Sequence, residues 1–207
     1  MRGVHIQPLE SELFHSLSEN CNKKVQTNLS ECTCEANSIL IQWQFFPKNI
    51  DSPELLRQVI TCFQKVEGEI DSETHRLPSD DVLGVIRPYL EELGFRVETG
   101  KKAVEKIRVP VLFGLNGKLE KSFEADAYHL EKKTVLEIEA GRGVTNYQFL
   151  KDLFQACMMY NVEYLVIGIR RIYRTSKDFE KVVTFFDTLY ASDRLQLPLK
   201  GILVIGY

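Results

Sequence analysis

Two hydrophobic periods alternate along the chain, one near 3.6 residues and one of 2, and together they predict most of its elements. Leu9 to Leu17 suits a short helix, and the polar stretch Asn20 to Glu35 reads as loop. Ser38 to Phe46 is β-branched and aromatic, hence a strand, and Pro47 ends it. Ser52-Pro53-Glu54 opens a helix to about Val66, with Leu55, Leu56, Val59, Ile60 and Phe63 on its apolar face. A linker over 71–78 leads to Ser79, expected to cap a helix carrying Leu83, Ile86, Leu90 and Leu93 and ending at Gly94. Pro88 inside that helix predicts a kink or an early break. Extended chain resumes at Phe95-Arg96-Val97-Glu98.

The second half is rich in strands. Ile107 to Phe113 is a strand, and Asn116-Gly117 is a strong hairpin signal. A second strand is expected over 119–130 and a third over 134–140. Gly141-Arg142-Gly143-Val144 reads as a loop, and Thr145-Asn146-Tyr147-Gln148 as a capping box. The helix Tyr147 to Tyr160 is apolar over most of its circumference, which predicts burial. Glu163 to Ile169 is a continuous apolar run, the mark of a strand covered on both faces, so strand, helix and strand form a crossover. A last helix starts near Thr175 or Ser176, with Phe179, Val182, Val183, Phe186 and Leu189 inward, and Gly201 to Gly206 adds a strand. The expected fold class is α/β, an α+β arrangement on a mixed sheet. Its order is helix, three-strand meander, helix, strand. The expected organisation is a single domain over 1–207, with a helical and strand extension over 1–78 and a core over 79–207.

Composition narrows the class. With 207 residues, 44% of them hydrophobic and 27% charged, the chain can build one real core. Net charge is −3, but it is unevenly distributed: residues 1–100 hold 9 Lys/Arg against 16 Asp/Glu, and residues 101–207 hold 17 against 13. The basic excess thus lies in the strand-rich half, as a polyanion-binding surface requires. Five cysteines make no paired framework, and Cys32-Thr33-Cys34 has neither a second such pair nor nearby histidines, which argues against zinc. No apolar signal core opens the chain, and no stretch approaches the ~18 apolar residues of a membrane span. The expectation is a cytoplasmic protein with no membrane partner.

The candidate chemistry lies on the second and third strands. Glu124, Asp126 and Tyr128 share one face of the first of these, and Val135, Glu137 and Glu139 share one face of the other. A two-residue turn at Glu131-Lys132 sets Leu130 against Lys133, and therefore Asp126 against Glu137 and Glu124 against Glu139. Directly opposed side chains lie ~5 Å apart at Cβ, where like charges repel. Four carboxylates on one patch are either a solvated face neutralised by Lys118, Lys121, Lys132 and Lys133, or ligands of a cation. The strand from Val135 to Ala140 is apolar apart from Glu137 and Glu139, so it is expected inside the sheet, which favours the cation. His129 lies on the opposite face and is expected to pack.

These features together resemble the PD-(D/E)xK nuclease superfamily, and within it the type II restriction endonucleases of the BglII-like group. The resemblance covers about residues 80–207. It rests on the Gly94-Phe95-Arg96-Val97-Glu98 strand entry, Asp126, Leu136-Glu137-Ile138-Glu139, the small-residue loop before an aromatic-rich helix, and the closing Leu197 to Gly206 run. It implies a restriction-endonuclease-like core and a Mg²⁺-dependent, site-specific endonuclease acting on double-stranded DNA, with Mn²⁺ able to substitute, working as a homodimer. Asp126 and Glu137 would be metal ligands. Glu139 would take the third catalytic position, where the superfamily usually has Lys and some restriction enzymes have Glu or Gln. Glu124 and Lys151 are further candidates, and Lys151 could supply the displaced positive charge. Lys101, Lys102, Arg142, Asn146, Arg170, Arg171 and Arg174 are candidates for DNA contact. Helix 53–66 or helix 79–93 is expected to supply the dimer interface. Two alternatives stay open: a repair or recombination nuclease of the same fold, and a degenerate relative that binds DNA or a partner protein without cutting.

Overall fold

The structure, a computed structural model, describes residues 41–141 and 143–207. The expected helix at Leu9–Leu17, the loop at Asn20–Glu35, the first three residues of the strand Ser38–Phe46, and Arg142 lie outside the described residues.

The described chain is mixed α/β. Its main sheet takes β1 (Gln42–Phe46), β2 (Arg96–Val97), β5 (Ala127–His129), β6 (Thr134–Glu139), β7 (Tyr164–Ile169) and β10 (Gly201–Gly206). The spatial order is β1-β10-β7-β6-β5-β2. Strands β6, β7 and β10 run parallel, while β1, β5 and β2 pair antiparallel to their neighbours. The helices are α1 (Glu54–Lys65), α2 (Glu67–Ile70), α3 (Ser79–Glu92), α4 (Gln148–Met158) and α5 (Asp178–Ser192). Two small pairs stand apart from the main sheet: β3 (Ile107–Phe113) with β4 (Leu119–Ala125), and β8 (Ile172–Tyr173) with β9 (Ser176–Lys177).

Strand alternation divides the core into two layers. Leu136, Ile138, Val166, Leu203 and Ile205 face α1 and α3, in a cluster with Leu56, Val59, Phe63, Ile86 and Leu90. Val135, Leu165, Ile167, Ile169, Ile202 and Val204 face α4 and α5, with Phe149, Leu153, Val182 and Phe186. β7 and β10 are buried throughout apart from the first residue of β7, as their unbroken apolar runs require. Strand β1 is an edge of this same sheet and α1 lies in its core. Residues 42–78 therefore belong to one core with residues 79–207 and are not an extension of it.

Several local expectations change. The strand expected over 119–130 breaks at Asp126: β4 pairs with β3, and only β5 joins the sheet. The three-strand meander is therefore two hairpins, not one surface. Asn116 and Gly117 do turn the first hairpin, both at positive φ (59° and 74°). Pro88 neither ends nor breaks α3; it sits on the exposed side of the helix. Ser79 starts α3 but does not cap it, because its Oγ accepts from the Ala140 amide at 3.1 Å. The capping box before α4 does not form; Tyr147 stands at the N-terminus in the left-handed region. Helix α4 buries one side only, and Phe154 and Met158 are each 50% exposed. The apolar faces of α1 and α3 lie in the core, which leaves their polar sides for any partner.

Candidate active site

The β5–β6 register pairs Ala127 with Leu136 and Tyr128 with Val135. One residue further, it sets Asp126 against Glu137. Leu136 and Ile138 point to the α1/α3 layer, so Glu137 and Glu139 point to the other side, where α4 begins. Asp126 is held at the break between β4 and β5: its Oδ2 accepts from the Ile138 amide at 2.7 Å, and its carbonyl accepts from the Glu98 amide at 2.7 Å. Gly143 brings the loop after β6 back over the site. A Cβ there would stand 3.0 Å from Glu139 Cβ and 3.1 Å from Ile169 Cδ1, so a side chain would crowd both.

A fourth carboxyl comes from α4. Asp152 is buried, and its Oδ2 has no hydrogen-bond partner. Its neighbour in the cluster is Glu139, on which the Asp152 charge falls directly. Two carboxylates that close repel unless one holds a proton or a cation stands between them. As residues, Asp126, Glu137 and Glu139 keep some exposure, while Asp152 is buried.

The electrostatics follow from this crowding. Burial, with Glu98 and Asp152 adding like charge, raises Asp126 to about 7 against the pull of the Ile138 amide and Lys106. Glu137 is pushed well above its ordinary value, by burial first and then by Asp126 and Asp152. Burial and the Asp152 charge raise Glu139 to about 8, and Lys151 opposes this. Asp152 itself is raised by burial, while the Glu139 side chain and the Lys151 charge oppose it. Removing these carboxyls from water is the dominant cost throughout. Among the described residues, two cations oppose this crowding. Lys106 bonds Glu98 at 2.6 Å, and Lys151 stands exposed on α4.

The remaining candidates disperse. Glu124 leaves the patch because β4 departs to pair with β3; it stands exposed, 3.9 Å from both Lys106 and Arg108. Lys101 pairs with Asp80 at 3.0 Å on the surface, and Lys102 is exposed nearby. Asn146 is exposed in the loop before α4. Arg170 is buried and donates to the Leu77 carbonyl. Arg171 bridges Asp71 and Glu73, each at 2.9 Å. His129 packs edge-on against Phe95, as expected.

Asp152, Glu98 and Lys106 were not singled out in the sequence. For Asp152 a signal existed. Its position between Phe149, Leu153 and Ala156 puts an acid on the inward stripe of an apolar helix.

Among the described residues, no group of three or more His, Cys, Asp or Glu is arranged so that it could hold a metal ion. A hard divalent cation does not need one. Mg²⁺ commonly takes one or two carboxylates and fills its shell with water and phosphate oxygens. The all-oxygen donor set, the partial exposure of Asp126, Glu137 and Glu139, and an Asp152 Oδ2 without a partner among the described residues fit such an ion. No helix among the described residues is long and apolar enough to cross a membrane. Comparison with protein-family models, curated proteins and solved structures gives no match to this chain.

Proposed function

We propose that this chain is a Mg²⁺-dependent endonuclease with a restriction-endonuclease-like core, cleaving phosphodiester bonds in double-stranded DNA at specific sites as a homodimer. The observation that carries this reading is the convergence of Asp126 and Glu137 across the β5–β6 register. They stand together with Glu139, all three keeping some exposure as residues, and with Asp152, whose Oδ2 lacks a partner among the described residues. Crowded carboxyls cost folding energy, and a divalent cation offsets that cost.

Asp126 and Glu137 would hold the ion, with Mn²⁺ able to replace Mg²⁺. Bound there, the ion would lower the pKa of a coordinated water and stabilise charge on the phosphoryl oxygens. Glu139 stands beside them to take the proton as the water oxygen attacks phosphorus and the bond to the leaving oxygen breaks. Asp152 stands beside Glu139 and adds its charge to the same cluster. Lys151 supplies positive charge at the same rim. Exposed Lys101, Lys102 and Asn146 would meet the DNA backbone, and Arg142 extends that set.

The test is incubation of plasmid DNA with the purified chain and Mg²⁺ or Mn²⁺. The wild type is expected to nick or linearise it, and Asp126→Asn and Glu137→Gln each to lose roughly 10²-fold or more of the rate. Wild-type protein that leaves DNA intact with either metal across neutral and alkaline pH overturns the reading, as do variants that cut at the wild-type rate. Engagement of Glu139 by Asp152 favours one second reading, a relative that binds DNA without cutting. Retention of DNA with no cleavage would select it.

A further inference from the structure

Beyond the carboxylate cluster, a cavity of about 370 Å³ opens where the 71–77 segment meets the β8–β9 turn. Arg76, Arg170 and Arg174 line it together with Ser72, Tyr173 and Thr175, and none of its lining residues is acidic. Among the described residues, the nearby carboxylates lie outside this lining: Asp71 and Glu73 both bridge Arg171, and Asp178, which feels the Arg170 charge, accepts from Ser176 Oγ. Three guanidinium groups around one cavity repel each other, and this structure leaves that repulsion without a neutralising acid in the wall.

The guanidiniums are also held in place. Arg170 and Arg174 both lie over the Tyr173 ring, at 5.6 and 5.3 Å from its centroid. Stacking on an aromatic face fixes the plane of each fork before any ligand arrives. Arg170 is anchored further by its bond to the Leu77 carbonyl. Ordered forks lose less entropy on binding, and they match the paired oxygens of a phosphate. Ser72 and Thr175 add hydroxyls at the wall.

The cavity borders the carboxylate cluster. Gly141, two residues past Glu139, has φ +124° and sits so close to Tyr173 that a Cβ would meet the ring at 3.0 Å. Tyr207 links the two regions from behind: its hydroxyl donates to the Glu139 carbonyl at 3.4 Å and faces the Arg170 charge.

We infer that this arginine-lined cavity binds a backbone phosphodiester of the nucleic acid, one flanking the phosphate presented to the carboxylates. The inference rests on the nuclease reading for the identity of the polyanion, and on the cavity alone for its anion chemistry. Arg76 and Arg174 are the residues through which it is tested, because both are exposed while Arg170 carries structure.

The experiment measures binding of a fluorescently labelled duplex in EDTA over a range of salt concentrations. Wild type is compared with Arg76→Gln/Arg174→Asn and with Arg76→Glu alone. Asn suits residue 174 because φ there is +58°. Each lost phosphate contact lowers the slope of log K against log salt by ~0.9. The double variant, melting at the wild-type temperature, is expected to lose about one unit of slope and roughly tenfold in affinity. Arg76→Glu is expected to weaken binding in the same direction. Unchanged slope and affinity in both variants overturn the inference. Inorganic phosphate, titrated by calorimetry, separates the sources. Phosphate binding lost in the double variant with the DNA slope intact makes this a free-anion pocket and also overturns it. Cleavage is scored separately. A chain that binds DNA with the expected slope change yet never cuts loses the nuclease reading and keeps this site, whereas one that cuts with an unaltered slope does the reverse.

Discussion

Asp152 is the residue in the cluster that packing explains least. An acid on the inward stripe of α4 gives up hydration, and its Oδ2 receives no hydrogen bond in return. Its neighbour Glu139 is another acid, so the pair is stable only with a shared proton or a cation between them. A packing role and a site role lead to opposite outcomes for Asp152→Asn. If Asp152 serves the cation, removing its charge relieves the metal-free protein and weakens the bound one. The melting temperature in EDTA is then expected to rise, by the equivalent of about 1 kcal/mol. Mn²⁺ affinity measured by calorimetry is expected to fall by ~10–100-fold, as for loss of a charged group just outside the ion's ligands. A lower melting temperature in EDTA with unchanged Mn²⁺ affinity assigns Asp152 to packing alone.

At the scale of elements, the site depends on where β6 ends and α3 begins. The Ala140 amide, just past β6, donates to Ser79 Oγ at the first residue of α3. That bond joins two elements 61 residues apart and fixes the strand end that carries Glu139. Ser79→Ala is expected to cost about 1 kcal/mol in a denaturant titration. It is also expected to lower the cleavage rate by more than that loss of folded population accounts for; a stability loss with the rate per folded molecule unchanged would show that the bond is structural only. The β5–β6 hairpin was legible in the sequence because alternation and a two-residue turn leave one register that buries Leu136 and Ile138. That register also puts Asp126 opposite Glu137. Glu124 was misplaced, because a strand pattern that runs unbroken from Leu119 to Leu130 does not reveal that β4 and β5 choose different partners. Partner choice is a long-range property, set here by Ile107, Val109 and Ala125 packing beneath α4. The contribution of α4 was hidden for a related reason. Apolar residues cover most of its circumference, so the periodicity did not say which side faces the sheet, and the meaning of Asp152 depended on that side.

For the molecule as a whole, two buried clusters set opposite limits on stability against pH. Burial alone would raise Asp71, but bonds from Arg171, the Glu73 amide and Thr74 hold it below the ordinary carboxylate range. Its stabilising contribution is therefore present above about pH 4 and lost as pH falls through the folded value. This pair matters globally, because the chain end closes over it: Ser72 Oγ donates to the Tyr207 carbonyl, and the Arg171 amide donates to the same oxygen at 2.8 Å. The carboxyls around Asp126 and Glu139 act in the other direction. With Asp126 at about 7 and Glu139 at about 8, the metal-free native state holds protons that the unfolded chain has already released. Stability then falls as pH rises from about 4 towards 8. In EDTA the melting temperature is expected to peak on the acid side of neutrality. Mg²⁺ binds the deprotonated carboxylates, so its stabilisation should be largest near pH 8 and small near pH 5. Asp126→Asn should flatten the alkaline decline and remove most of the Mg²⁺ gain. Asp71→Asn should lower stability above about pH 4, make the acid limb shallower and leave the Mg²⁺ gain in place. A flat EDTA profile above pH 5, or a Mg²⁺ gain equal at both ends, would mean that the carboxylates are neutralised by the protein itself, which removes the physical reason for a cation in the cluster.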